Sequence, residues 1–91
     1  MKVAHVRDMT FTVYIGRPSV FGNPFIIGVH GNRKQCIRKF EKYAWRNQRV
    51  LDAIMQLKKN AILGCHCAPK ACHGEVIIRI RKQLLAQVSN V

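Results

Sequence analysis

The segment Cys65-His66-Cys67-Ala68-Pro69-Lys70-Ala71-Cys72-His73-Gly74 gathers three thiols and two imidazoles into ten consecutive positions. Zinc would take Cys65, Cys67 and Cys72 as thiolates with His73 as the fourth ligand, a Cys3His tetrahedron. An iron–sulfur cluster would use the three cysteines and leave one iron open or held by another group. On an extended backbone, Cys65 and Cys67 point the same way with roughly parallel Cβ vectors. That opposes a disulfide between them and suits two thiolates gripping one ion. His66 then points to the other side, outside the ligand set. A metal-free alternative is a reactive Cys72, placed just before a helix start where the positive end of the dipole favours the thiolate. The fourth cysteine, Cys36, falls on the apolar arc of a helix and reads as a small core residue.

Two further groups of residues carry chemistry. Gly16-Arg17-Pro18-Ser19 leaves a strand and holds one guanidinium between a glycine and a proline, a setting suited to bidentate binding of a phosphate or carboxylate. Ser19 and Asn23 add hydrogen-bonding groups, and Gly22 permits close approach. The glycines match neither the P-loop nor the dinucleotide fingerprint. Lys34, Arg38, Lys42 and Arg46 recur at every fourth position, and Arg49 extends the stripe. Trp45 projects onto the same arc, as a platform on which a base could stack while the cations hold phosphates.

These residues need elements to position them. Lys2 to Val6 reads as a short strand, and Phe11, Val13 and Ile15 alternate with Thr12 and Tyr14 as a second. Turn residues follow from Gly16 to Pro24, then an apolar run from Phe25 to Val29, with His30-Gly31-Asn32 as a break. From Arg33 to about Asn47, Cys36, Ile37, Phe40, Tyr43 and Ala44 share one helical arc at about 100° per residue. A second helix is expected over Val50 to Lys59. Ala61 to Gly64 reads as a buried strand delivering Cys65 to Cys67. A last helix runs from Gly74 or Glu75 to about Val88, with Val76, Ile77, Ile80, Leu84 and Val88 inside. Arg81 also falls within that arc and is expected to snorkel or to reach the cysteine side.

This order gives one small α/β domain over residues 1–91, a short partly parallel sheet flanked by about three helices. Were the Phe11–Ile15 and Ala61–Gly64 strands parallel, their following loops would meet at the sheet edge where open α/β sheets bind ligands. A Rossmann-like edge site joining Arg17 to the cysteines is the expectation.

The bulk composition agrees. Ninety-one residues with 48% apolar content suit a single modest core. No stretch reaches the length of a membrane span, and Met1 to Phe11 has no long apolar run of a secretory signal. A cytoplasmic setting with reduced cysteines is expected. Sixteen Lys and Arg against four acids give a formal +12 and a pI near 10.4, which points to polyanions, nucleic acid first.

The combination Tyr14-Ile15-Gly16-Arg17-Pro18-Ser19, Phe21-Gly22-Asn23-Pro24-Phe25, Cys67-Ala68-Pro69 and Cys72-His73-Gly74 resembles the family called domain of unknown function 4326, small proteins of phages and bacteria. The likeness runs from about Val13 to Ile80. It implies that the Gly-Arg-Pro-Ser loop, the Gly-Asn-Pro-Phe turn and the cysteine segment belong to one shared site, and it brings no reaction with it. Members often carry an aromatic residue where this chain has His66, and Cys36 matches no motif position. The expected function is nucleic-acid binding with zinc or an iron–sulfur cluster as a staple. An enzyme acting on a nucleotide or nucleic acid at the Arg17–cysteine site is the alternative, and a phage effector that binds a host protein is a second. Asp8, Glu41, Asp52 and Glu75 are the only carboxylates for acid–base work, and the zinc-deaminase signature is absent.

Overall fold

The computed structural model describes residues 1–8 and 10–89. Three strands, β1 (Lys2–His5), β2 (Val13–Tyr14) and β3 (Ile62–Cys65), form one sheet in the order β1-β3-β2. Both pairings are parallel, with Val3 and Val13 each in register with Leu63. The sheet is therefore wholly parallel among the described residues, and β3, the central strand, is buried from Leu63 to Cys65. A short 3-10 turn, Val6–Asp8, follows β1. β2 is shorter than the alternation implies, although Thr12 N and Ile15 N extend its pairing by donating to Ile62 O and Gly64 O at 2.8 and 3.0 Å.

Helix α1 spans Arg33–Trp45. Its start is fixed by a capping box: Asn32 Oδ1 accepts from Gln35 N at 2.8 Å, and Gln35 Oε1 accepts from Asn32 N at 2.9 Å. Two of the donors that a helix start leaves without partners are satisfied in this way. Cys36, Phe40 and Ala44 are buried, with Ile37 and Tyr43 packed beside the core. Helix α2 is Gln48–Met55, capped by Asn47. It starts and stops earlier than expected. Leu57 is buried but sits in the turn that follows, where its N–H donates to Ile54 O at 3.1 Å.

Helix α3, Gly74–Ser89, packs on α2 and β1 through Val76, Ile77 and Ile80. Val88 is not an inner residue: it is 61% exposed, because the helix outruns the elements it packs on. Gly74 is needed where α3 meets the sheet, since a Cβ there would lie 2.8 Å from both Ile15 Cδ1 and Val3 Cγ2. The core gathers Ile15, Phe40, Ile54, Leu63, Ile77 and Ile80, all fully buried. No described helix is long and apolar enough to cross a membrane.

Candidate functional site

Parallel pairing puts the C-terminal ends of β2 and β3 on one edge, and the Gly16–Phe25 loop and the cysteine segment leave from there. Between them lies a cavity of about 400 Å³. Arg17, Asn23, Cys65, Cys67, Cys72 and His73 all line it, so the two motif groups share one site. Ser19 is not part of the lining. Its backbone instead tightens the loop, its N–H donating to Gly16 O and its carbonyl accepting from Gly22 N, both at 2.9 Å. Asn23 is largely committed to the wall: Nδ2 donates to Cys36 O at 3.2 Å and Oδ1 accepts from Phe25 N at 3.0 Å.

His73 ties the two loops together. Its Nε2 lies 2.9 Å from Ile15 O and 2.9 Å from Phe21 O. Two carbonyls can only accept, so Nε2 carries the proton and is shared between them. Phe40 meets the ring edge-on, with centroids 4.9 Å apart. Burial holds the imidazole below its ordinary value, and the charge of Arg17 acts the same way. The hydrogen bonds to Ile15 and Phe21 pull upward and are outweighed. His73 is thus a neutral, buried latch, with Nδ1 facing Cys72 Sγ at 3.6 Å.

The thiols are held by backbone amides. Cys72 Sγ accepts from Gly74 N and Cys65 Sγ accepts from Ala68 N, each at 3.4 Å. Cys72 is 2% exposed, and burial pushes its thiol up to about 12 despite the Gly74 amide, with the neighbouring Cys65 and Cys67 adding to the rise. The helix start therefore does not make Cys72 a ready thiolate. Among the described residues, no three His, Cys, Asp or Glu side chains stand in an arrangement ready to hold a metal ion. Zinc or a cluster would need the 66–72 segment to close further around Cys65, Cys67 and Cys72. His73 could then offer only Nδ1. Cys36 is buried and forms part of the cavity wall, with its thiol donating to Gly31 O at 3.5 Å.

Sequence reasoning missed Arg33. It opens α1, lines the cavity and donates from Nη1 to Ala71 O at 3.1 Å, bridging the helix to the cysteine segment. A signal existed, since a cation in the first helical turn opposes the dipole and asks for another reason to be there. His66 and Tyr14 also line the cavity, with Tyr14 Oη and His66 Nε2 3.2 Å apart. The lining also has an apolar part: Phe25, Ile26, Ile27 and, one turn after Arg33 on α1, Ile37. None of the four carboxylates lines the cavity.

Lys34, Arg38, Lys42, Arg46 and Arg49 are all exposed, as a charge stripe requires. Trp45 does not stand free among them. It is half-buried and packs against the core. Arg81 is half-buried on α3 and does not reach the cavity lining.

A small parallel α/β sheet with a basic-rimmed, thiol-lined cavity at its strand ends is the class of protein these features define. The chain belongs to the family described as domain of unknown function (DUF4326), whose pattern matches residues 1–83. It is 32% identical over 86 residues to an uncharacterized 12.4 kDa protein in the nrdA-td intergenic region of Enterobacteria phage T4, an alignment covering 91% of this chain and 79% of that one. No solved structure matches the chain.

Proposed function

We propose that this protein binds nucleic acid, with phosphates held along α1 and at the mouth of the strand-end cavity. The observation that carries the reading is where α1 begins. Arg33 is at once the first residue of the helix and part of the cavity wall. From there Lys34, Arg38, Lys42 and Arg46 run exposed along one face, a row about 18 Å long at 1.5 Å per residue. Arg17 is exposed and shares the cavity lining with Arg33. A flexible anionic strand can follow such a row, and a formal +12 favours its approach. The four cysteines are free thiols, which suits a reducing, cytoplasmic setting.

Labelled single-stranded DNA and RNA titrated against salt test this reading. Binding should weaken steeply with salt, and each phosphate contact removed should lower the logarithmic slope by about 0.7. Arg38→Glu with Lys42→Glu, both exposed positions, should abolish binding at moderate salt without disturbing the fold. Absence of binding at low salt, or indifference to the double reversal, would sink it.

A second reading, an enzyme acting on a nucleotide in the cavity, is favoured by one observation. The Tyr14–His66 hydrogen bond lies in the lining and offers groups for proton transfer that the distant carboxylates do not.

A further inference from the structure

The apolar part of the cavity lining is unusual for a surface loop. Ile26 and Ile27 line the cavity while remaining 42% and 47% exposed. Large apolar side chains held in the open beside guanidinium groups mark a site for a ligand with both an apolar face and negative charge.

The loop that carries them is fixed in place. Ile26 N donates to His30 Nδ1 at 2.8 Å, and Lys39 Nζ donates to His30 O. Gly28 N donates to Gly31 O at 2.8 Å. Both glycines adopt positive φ, 91° and 139°, which side-chain-bearing residues resist. Phe25 is pinned edge-on between His30 and Tyr43, with centroid distances of 5.8 and 6.2 Å. The wall therefore exists before any ligand arrives, and little ordering is needed on binding.

The geometry points to a single-nucleotide subsite. The base lies against Phe25, Ile26 and Ile27, and its phosphate reaches Arg17 and Arg33. Size agrees: 400 Å³ lies near the lower end of the roughly 300–1,000 Å³ of small-molecule sites, room for one nucleotide unit and not for a folded strand. Tyr14 Oη and His66 lie in the same lining, where hydrogen-bonding groups can meet the sugar or the base edge. The chemistry recognised is a phosphorylated nucleoside, whether free or at the end of a strand. This inference deepens the nucleic-acid reading and rests on it for the phosphate half alone.

Calorimetric titrations at low salt separate the parts. The probes are AMP, ribose 5-phosphate, adenosine and a 5′-phosphorylated tetra-adenylate, each with wild type and with the exposed pair Ile26→Ser/Ile27→Ser. The expected result is AMP binding at least tenfold tighter than ribose 5-phosphate or adenosine, with the double serine variant erasing the gap over ribose 5-phosphate. Arg17→Ala should weaken AMP and ribose 5-phosphate alike and leave adenosine unchanged. Tetra-adenylate weaker than AMP identifies the free nucleotide as the occupant, and tetra-adenylate tighter identifies a strand terminus. Equal binding of AMP and ribose 5-phosphate overturns the base subsite while leaving phosphate binding intact. Salt-sensitive oligonucleotide binding with no AMP binding overturns the subsite and leaves the α1 reading standing. Failure of every probe and of oligonucleotides removes both.

Discussion

Replacing His73 by phenylalanine isolates the latch between the two loops. The aromatic ring is kept, and with it the edge contact to Phe40 at 4.9 Å, while the donor shared by Ile15 O and Phe21 O disappears. Each buried acceptor left without a partner costs about 1–3 kcal/mol. A single N–H divided between two carbonyls cannot be worth two full bonds, so the expected loss is about 2–4 kcal/mol, a large share of the roughly 5–15 kcal/mol that holds a small domain together. Urea unfolding followed by the fluorescence of Trp45, the single tryptophan, should show a lower midpoint at unchanged slope. The substitution also carries a pH signature. Burial keeps the folded imidazole below the ordinary 6.5, so below that pH the unfolded chain binds a proton that the folded one refuses. Wild type should therefore lose stability as pH falls from about 6.5, and His73→Phe should lose that part of the slope. A change under about 0.5 kcal/mol at neutral pH, or an unaltered acid limb, would refute the latch.

Three other outcomes follow from the same geometry. Cys67, the half-buried thiol, should react first with a disulfide reagent near pH 8, while Cys36, Cys65 and Cys72, all buried, should wait for unfolding; several thiols reacting together would contradict that order. Burial raises Cys72 from 9.0 to about 12, so the stability it confers is intact below pH 9 and falls as pH rises above it, by on the order of 1 kcal/mol by pH 10; Cys72→Ser should flatten the alkaline limb of a denaturation series. A Cβ on Gly64 would sit 2.5 Å from Phe11 Cγ, so Gly64→Ala should cost about 1–3 kcal/mol by overpacking, and adding Phe11→Leu should recover part of it in the same urea assay.

What the sequence made legible is what depends on near neighbours. The α1 arc of Cys36, Phe40 and Ala44, the buried strand that delivers Cys65, and the helix that starts at Gly74 all rest on periodicity or on local breaks. The meeting of Arg17 with the cysteines was legible too, because parallel pairing alone puts both loops on one edge. What escaped depends on distant partners. A helical wheel places Trp45 among cations, but the core it packs on comes from elsewhere in the chain. Val88 fits the α3 arc perfectly well, yet among the described residues it stays 61% exposed. The Phe25–Val29 run is apolar by composition, yet positive-φ Gly28 within it and Gly31 after it turn it outward, with Phe25, Ile26 and Ile27 in the cavity wall.

The cysteine segment shows the same division within one motif. Spacing offers His73 as a fourth metal ligand and, as a metal-free alternative, Cys72 as a reactive thiol with the helix dipole as the nearest field. In the fold, Nε2 of His73 answers carbonyls 58 and 52 residues away, and Cys72 lies under the same lid of protein. Desolvation then outweighs the single Gly74 amide, and the neutral thiol faces a neutral imidazole. All three thiols line the cavity, and Cys67, half-buried beside the exposed His66, is the least covered of them. A thiol reagent entering this edge without rearrangement therefore meets Cys67 first, while His73 ties the two loops together and Cys65 and Cys72 brace the cysteine segment from within.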